Sequence, residues 1–244
     1  MKQHLITLAT GLGLWAVGPA MAADGANLLT GFGAAEGPAQ APWRFVGLPN
    51  QTKPMTQFRV VTLEGARVLE VKADESYGNL VHDISSQNSN ARTLSWRWRI
   101  ELDNPKGDPH QKSGDDHSLA VCAMFDLPMS ALSPGERFIL RAARASSGED
   151  VASATLCYSW DERQPAGTEI ESPFTRRVRY IVLRGQGEPL KQWRSEQRDL
   201  GADFLRLFGN EATTVPPLIG VAVSADSDNT HGHSLALVGE LALK

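Results

Sequence analysis

Apolar and polar residues alternate with a period near two over much of the chain, and the alternating runs break at Gly, Pro, Asn and Asp. Residues 57–61 (QFRVV), 66–73 (ARVLEVKA) and 79–84 (NLVHDI) follow this pattern in succession and predict a half-buried antiparallel meander. Residues 93–100 (TLSWRWRI) give the clearest strand: Leu94, Trp96 and Trp98 fall on one face, Ser95, Arg97 and Arg99 on the other. The less interrupted apolar runs at 119–125 and 218–223 predict strands buried on both faces. Three more strands are expected at 152–160, 176–183 and 235–243, and residues 27–45 read as a short strand, a loop and a second strand. Between them, residues 103–116 are rich in Gly, Pro, Asp and Lys and predict a loop.

Two segments carry a helical signal instead. Ser133-Pro134-Gly135-Glu136 is a capping box with proline at the first helical position, so a helix is expected from there to about Ala145. A second helix is expected over residues 190–208, with Trp193, Leu200, Phe204 and Phe208 near one face and Gly209 as its left-handed stop. That makes nine or ten short strands, two helical insertions and no repeat of fixed period. A βαβ rhythm holds only around residues 119–160. The pattern predicts an antiparallel two-sheet β-sandwich of jelly-roll type in a single domain, residues 23–244.

Composition adds a compartment. Residues 1–22 have Lys2 in a short positive segment, an apolar stretch from Leu5 to Val17 and the small-x-small site Ala20-Met21-Ala22. These are the parts of a cleavable export signal, which predicts a periplasmic or secreted protein cut after Ala22. The apolar stretch falls short of the roughly 20 residues that span a bilayer. The formal net charge is −4, becoming −5 once Lys2 leaves with the leader, which gives no support for binding nucleic acid or anionic lipid. Cys122 and Cys157 are either a disulfide, as an oxidising compartment allows, or two buried thiols.

Several separated motifs occur in order along the chain. They are Ser95-Trp96-Arg97-Trp98, Gly114-Asp115-Asp116, Tyr158-x-Trp160, Trp193-x-x-Glu196-x-Arg198-Asp199, Asp203, Phe208-Gly209 and Asp226-x-Asp228-Asn229-Thr230. In this combination the chain, from about Trp43 to its end, resembles the bacterial domain of unknown function 3047 family (DUF3047). The resemblance implies an exported protein and brings no activity with it. The strand layout is also similar to the galactose-binding-like sandwiches of carbohydrate-binding modules, a likeness of fold and not of site.

The candidate chemistry is concentrated in two acidic clusters. Asp226, Asp228 and Asn229 place oxygen donors at close spacing between two apolar strands, a pattern that either caps a turn or coordinates Ca²⁺. His231 and His233 would share a strand face, where they are either solvated or, with Asp226 or Asp228, ligands of a transition metal. Asp115 and Asp116 open the strand at 119–125, and neighbours on a strand point to opposite faces. Trp96, Trp98, Trp160 and Tyr158 either pack in the core or stack on sugar rings, and Asp199 and Asp203 stand one helical turn apart as like charges. No nucleophile elbow, phosphate-binding glycine loop or nucleotide fingerprint is present.

Together these features predict a non-catalytic exported protein that binds a carbohydrate or another small polar envelope ligand. The expected cleft is built from Asp115, Asp116, Trp160, Asp226, Asp228 and Asn229, with Trp160 as its stacking face and no obligatory cofactor. The alternatives are a glycan hydrolase with Asp116 and Asp228 as its acid/base pair, and a structural envelope protein with no ligand. Every version requires that the two acidic clusters meet.

Overall fold

Each of the long alternating runs is a strand in the computed structural model, which describes residues 26–48, 50–87, 90–147 and 151–244. The expected leader and its cleavage position lie outside the described residues. Strands β1 (Gly37–Pro38), β2 (Trp43–Val46), β3 (Gln57–Leu63), β4 (Ala66–Asp74), β5 (Tyr77–Asp83), β6 (Thr93–Leu102) and β7 (His117–Phe125) precede helix α1 (Pro134–Ser147). Then come β8 (Ala154–Trp160), β9 (Glu169–Ser172), β10 (Thr175–Arg184), β11 (Arg194–Asp199), helix α2 (Leu200–Phe208), β12 (Leu218–Asp226) and β13 (His233–Leu243).

The strands form two sheets, a six-stranded one in the order β1-β3-β4-β13-β6-β11 and a seven-stranded one in the order β2-β5-β12-β7-β8-β10-β9. The mainly β sandwich expected from the sequence is therefore the fold. Alternation explains the core between the sheets. Leu94, Trp96, Trp98 and Ile100 of β6 are buried while the residues between them are only half-buried. They meet Tyr158 and Trp160 of β8, with Trp96 5.3 Å from Tyr158 and Trp98 5.7 Å from Trp160 between ring centroids, the latter edge-on. Phe125, Phe204 and Phe208 extend this aromatic core toward α2.

The short edge strands β9 and β11 were not legible, because four to six residues alternating at a sheet edge carry little apolar signal. Strand β11 corrects the expected second helix: residues 194–199 pair with β6, Arg194 opposite Trp98 through Asp199 opposite Thr93, and only Leu200–Phe208 is helical. Asp199 caps that helix by accepting from the backbone N–H groups of Gly201 and Ala202. Asp203 does not repel it, because Arg198 forks onto both Asp203 oxygens at 2.8 and 2.7 Å and the Tyr158 hydroxyl donates to one at 2.7 Å. Gly209 is right-handed (φ −63°), not a left-handed stop, and a Cβ there would lie 2.3 Å from the Leu205 carbonyl oxygen. The local βαβ rhythm fails on topology, because the strands flanking α1 are antiparallel neighbours. The other ladders between named strands are antiparallel as well, except that β8 and β10 pair in parallel.

Cys122 and Cys157 are directly opposed on β7 and β8 and joined as a disulfide, on the sheet face turned away from the sandwich core. Replacing both with alanine removes a link between residues 35 apart. The expected result is a loss of about 3–4 kcal/mol of unfolding free energy, read from urea denaturation with the wild type in its oxidised form.

Candidate functional site

The outward face of the seven-stranded sheet is the floor of a cavity of about 730 Å³. Alternation along β12 puts Val221, Val223 and Ala225 in the core and turns Ala222, Ser224 and Asp226 outward. Val81 of β5, Cys122 and Met124 of β7, Cys157 of β8 and Val178 of β10 continue the floor on either side. Helix α1 forms a wall over it. The capping box operates as expected: Glu136 N–H donates to Ser133 Oγ (3.3 Å) and Ser133 N–H to Glu136 Oε2 (2.9 Å). Glu136 with Ile139 and Leu140, and these two with Ala143, are three or four residues apart, so all four face the cavity. Leu48, Ile139 and Phe174 line it too and are largely exposed.

One end of this apolar trough is acidic. The loop before β7 delivers Asp115 and Asp116, and the connection after β12 delivers Asp228 and Asn229. Asp116 binds the two loops together, accepting from Asn229 N–H (3.1 Å), Thr230 N–H (2.8 Å) and the Thr230 hydroxyl (2.5 Å). Asn229 Nδ2 donates in return to the Asp115 carbonyl oxygen at 3.3 Å. Asp115 instead faces the cavity, where it accepts from the Ser172 hydroxyl at 3.1 Å. Asp228 also lines the cavity, 3.6 Å from Lys53 Nζ.

At the centre of this end is His117, a half-buried residue at the start of β7, opposite Asp226 in the register. Asp226 Oδ1 accepts from the His117 backbone N–H at 2.8 Å and lies 2.9 Å from ring Nδ1. The other ring nitrogen, Nε2, is 3.2 Å from Ser224 Oγ. The Tyr180 ring packs beside the imidazole, 5.7 Å between centroids.

The electrostatics follow from crowding acids in a poorly hydrated place. Burial, with the Asp226 and Asp116 charges adding to it against the His117 charge, pushes Asp115 up to about 6. Burial and the same two carboxylates also raise Asp228. For His117, burial favours the neutral ring, but the charge and hydrogen bond of Asp226, with Asp115 and Asp116 behind it, outweigh burial and raise its pKa.

The structure thus brings together Asp115, Asp116, Asp226, Asp228 and Asn229, residues more than 100 positions apart. Trp160 is not with them. It is 1% exposed, on the core side of β8 against Trp98, because its alternation points inward, and it offers no stacking face to a ligand. His231 and His233 are also apart: both are largely exposed and pair with Glu75 and Asp74, each at 2.7 Å. Arg198 is bound to Asp203 and takes no part in the acidic end.

Asp116, Asp226 and Asp228 each offer an oxygen within 4.8 Å of the others, but each already has a protein partner, Thr230, His117 and Lys53 respectively. The three donors held by Asp116 also leave it poorly suited to be the acid of a glycosidase pair. Sequence reasoning assigned no role to His117, Ser224 and Tyr180. Extending the two-residue period of β12 past Val223 would have found Ser224, since it shares the outward face with Asp226.

These features define a class: a two-sheet β-sandwich with a helix-walled pocket on the outer face of one sheet, mainly apolar and gathering acids at one end. The model of the family described as "Protein of unknown function (DUF3047)" matches residues 41–242, and the chain belongs to that family. No curated protein sequence matches it. Among solved structures it is similar to the Trichoderma harzianum endoglucanase 3 from family GH12, with 7% identity, 84% of this chain and 99% of that chain covered, and a TM-score of 0.38.

The raised pKa of Asp115 gives a pH test. An acid that resists ionisation when folded makes the native state bind more protons than the unfolded chain between pH 3.8 and about 6, so its contribution to stability falls as pH rises through that window. Carboxyl-carbon NMR is expected to place the Asp115 midpoint near 6. Asp115→Asn is expected to raise the melting temperature above pH 6 and to leave it nearly unchanged at pH 3.5.

Proposed function

We propose that this protein binds a small amphiphile: a hydroxyl-bearing head, such as a sugar or another polyol, at the acidic end, and an apolar body along the sheet under α1. One observation carries the reading. The cavity of about 730 Å³ is apolar over most of its wall and gathers Asp115, Asp226, Asp228 and Asn229 at one end. Buried carboxylates need hydrogen-bond donors, and ligand hydroxyls supply them without adding charge. Lys53 and His117 already balance part of the negative charge, which favours a neutral head over a cation. A free sugar would satisfy the acids and leave the aliphatic floor wet, so the apolar body is what this pocket adds to the carbohydrate expected from the sequence.

An exported location fits the leader-like N-terminus, and the Cys122–Cys157 disulfide supports an oxidising compartment. A periplasmic or secreted protein with such a pocket would carry or sequester envelope amphiphiles.

Titration calorimetry with alkyl glucosides tests the reading. Each methylene buried on the floor is worth about 0.8 kcal/mol, so affinity is expected to rise about fourfold per added carbon until the trough is filled. Glucose alone is expected to bind far more weakly than octyl glucoside. Ala222→Phe, which fills the floor, is expected to abolish binding without unfolding the protein. Equal affinity for glucose and octyl glucoside, or binding unaffected by Ala222→Phe, would rule the trough out as the site.

A further inference from the structure

We propose that Ser224, His117 and Asp226 form a nucleophile, base and orienting carboxylate, and that the pocket hydrolyses an ester joining an apolar acyl group to a hydroxyl-bearing head. The inference rests on the amphiphile reading above and departs from the expectation of a non-catalytic protein.

The geometry comes from the register of two strands. Ser224 and Asp226 are two residues apart on β12 and so share its outward face, and His117 lies opposite Asp226 on β7. The imidazole bridges them, with Nδ1 2.9 Å from Asp226 Oδ1 and Nε2 3.2 Å from Ser224 Oγ. The same Asp226 oxygen accepts the His117 backbone N–H at 2.8 Å, which fixes the carboxylate relative to the ring. The Nδ1 proton is therefore held by Asp226, and in the neutral ring the Nε2 lone pair faces the serine hydroxyl, as a general base must. Among the described residues the Ser224 hydroxyl makes no other hydrogen bond, and its residue lines the cavity. A serine kept only for structure on this strand would be expected to bond its own backbone or a neighbour's.

The reaction balances without a cofactor. Ser224 Oγ attacks the ester carbon and gives its proton to His117 Nε2. The tetrahedral adduct expels the head as an alkoxide, which takes that proton and leaves as the alcohol. Water, deprotonated by the same nitrogen, then attacks the acyl-serine, and the proton returns to Oγ as the carboxylic acid leaves. The hydroxyl of Tyr180 has no hydrogen-bond partner among the described residues and is on the cavity wall beside His117, where it is available to the anionic oxygen of the adduct.

Asp115, Asp116 and Asp226 all favour protonated His117, Asp161 faces it as well, and Tyr180 stays neutral beside it. Turnover needs the neutral ring, so the rate is expected to rise with pH through a midpoint above the ordinary histidine value of 6.5.

The test uses the full chain with p-nitrophenyl octanoate as substrate, a fluorophosphonate as covalent probe and octyl glucoside as a ligand that such a triad cannot cleave. The expected result is saturable hydrolysis, one phosphonyl group per chain on the peptide carrying Ser224, and at least about a thousandfold lower turnover in a Ser224→Ala protein that unfolds in urea at the wild-type midpoint. Asp226→Asn is expected to slow turnover and alter its pH profile. Wild type that binds octyl glucoside yet neither turns over the ester nor takes the probe overturns the triad and leaves the binding reading intact. Turnover that survives in Ser224→Ala, or probe found elsewhere, also overturns it. Loss of octyl glucoside binding in wild type sinks the amphiphile reading instead, and probe mapping to Ser224 would still uphold the nucleophile. If Ser224→Ala does not fold, the mapping on wild type decides.

Discussion

Asp116 holds the polar end of this molecule in shape. Its two oxygens receive three donors from Asn229 and Thr230, tying the loop before β7 to the connection between β12 and β13. A buried carboxylate without such donors would cost several kcal/mol, so the loops are bound to each other as firmly as the charge is bound to them. The loop also passes so close that a Cβ on Gly107 would sit 2.7 Å from the Asp116 carbonyl oxygen, which leaves room for glycine alone. With Asp116 turned to this task, Asp115 is the neighbour that faces the cavity. The pair therefore divides into a clasp and a site.

The seven-stranded sheet has two faces with different chemistry. Its inner face, with Tyr158 and Trp160, packs against Trp96 and Trp98 of the opposite sheet and is closed to ligands. Its outer face carries Cys122, Cys157 and Ala222, small groups on the floor of the cavity that α1 helps to line. Over this apolar face lies the cavity, and α1 supplies part of its wall through Glu136, Ile139, Leu140 and Ala143. Small side chains on the floor leave that space open, and the disulfide holds two of its strands at fixed separation.

Gathering Asp115, Asp116, Asp226 and Asp228 around His117 works against stability, since burial resists the charge on Asp115 and Asp228. Proteins retain such arrangements where the charges have work to do. The contrast with Asp203 is instructive. That buried acid is met by Arg198 and Tyr158 and is not part of the cavity wall.

Local residue pattern was enough for the strands with strong period-two alternation, the first helix with its capping box and the inward face of β6, because each depends on neighbours within a few residues. It also marked both acidic clusters. It could not show residues 194–199 as a strand, because six polar residues at a sheet edge form a strand only when β6 is there to pair with them. Nor could it show that Trp160 points into the core while Ser224 points out, since which face of a strand is buried depends on where the other sheet and α1 lie. The meeting of Asp115 and Asp116 with Asp226 and Asp228, and the bridge of His117 between Ser224 and Asp226, arise from the antiparallel register of β7 and β12. Contacts across more than 100 residues are decided by how the strands pair, and pairing is a property of the folded chain alone.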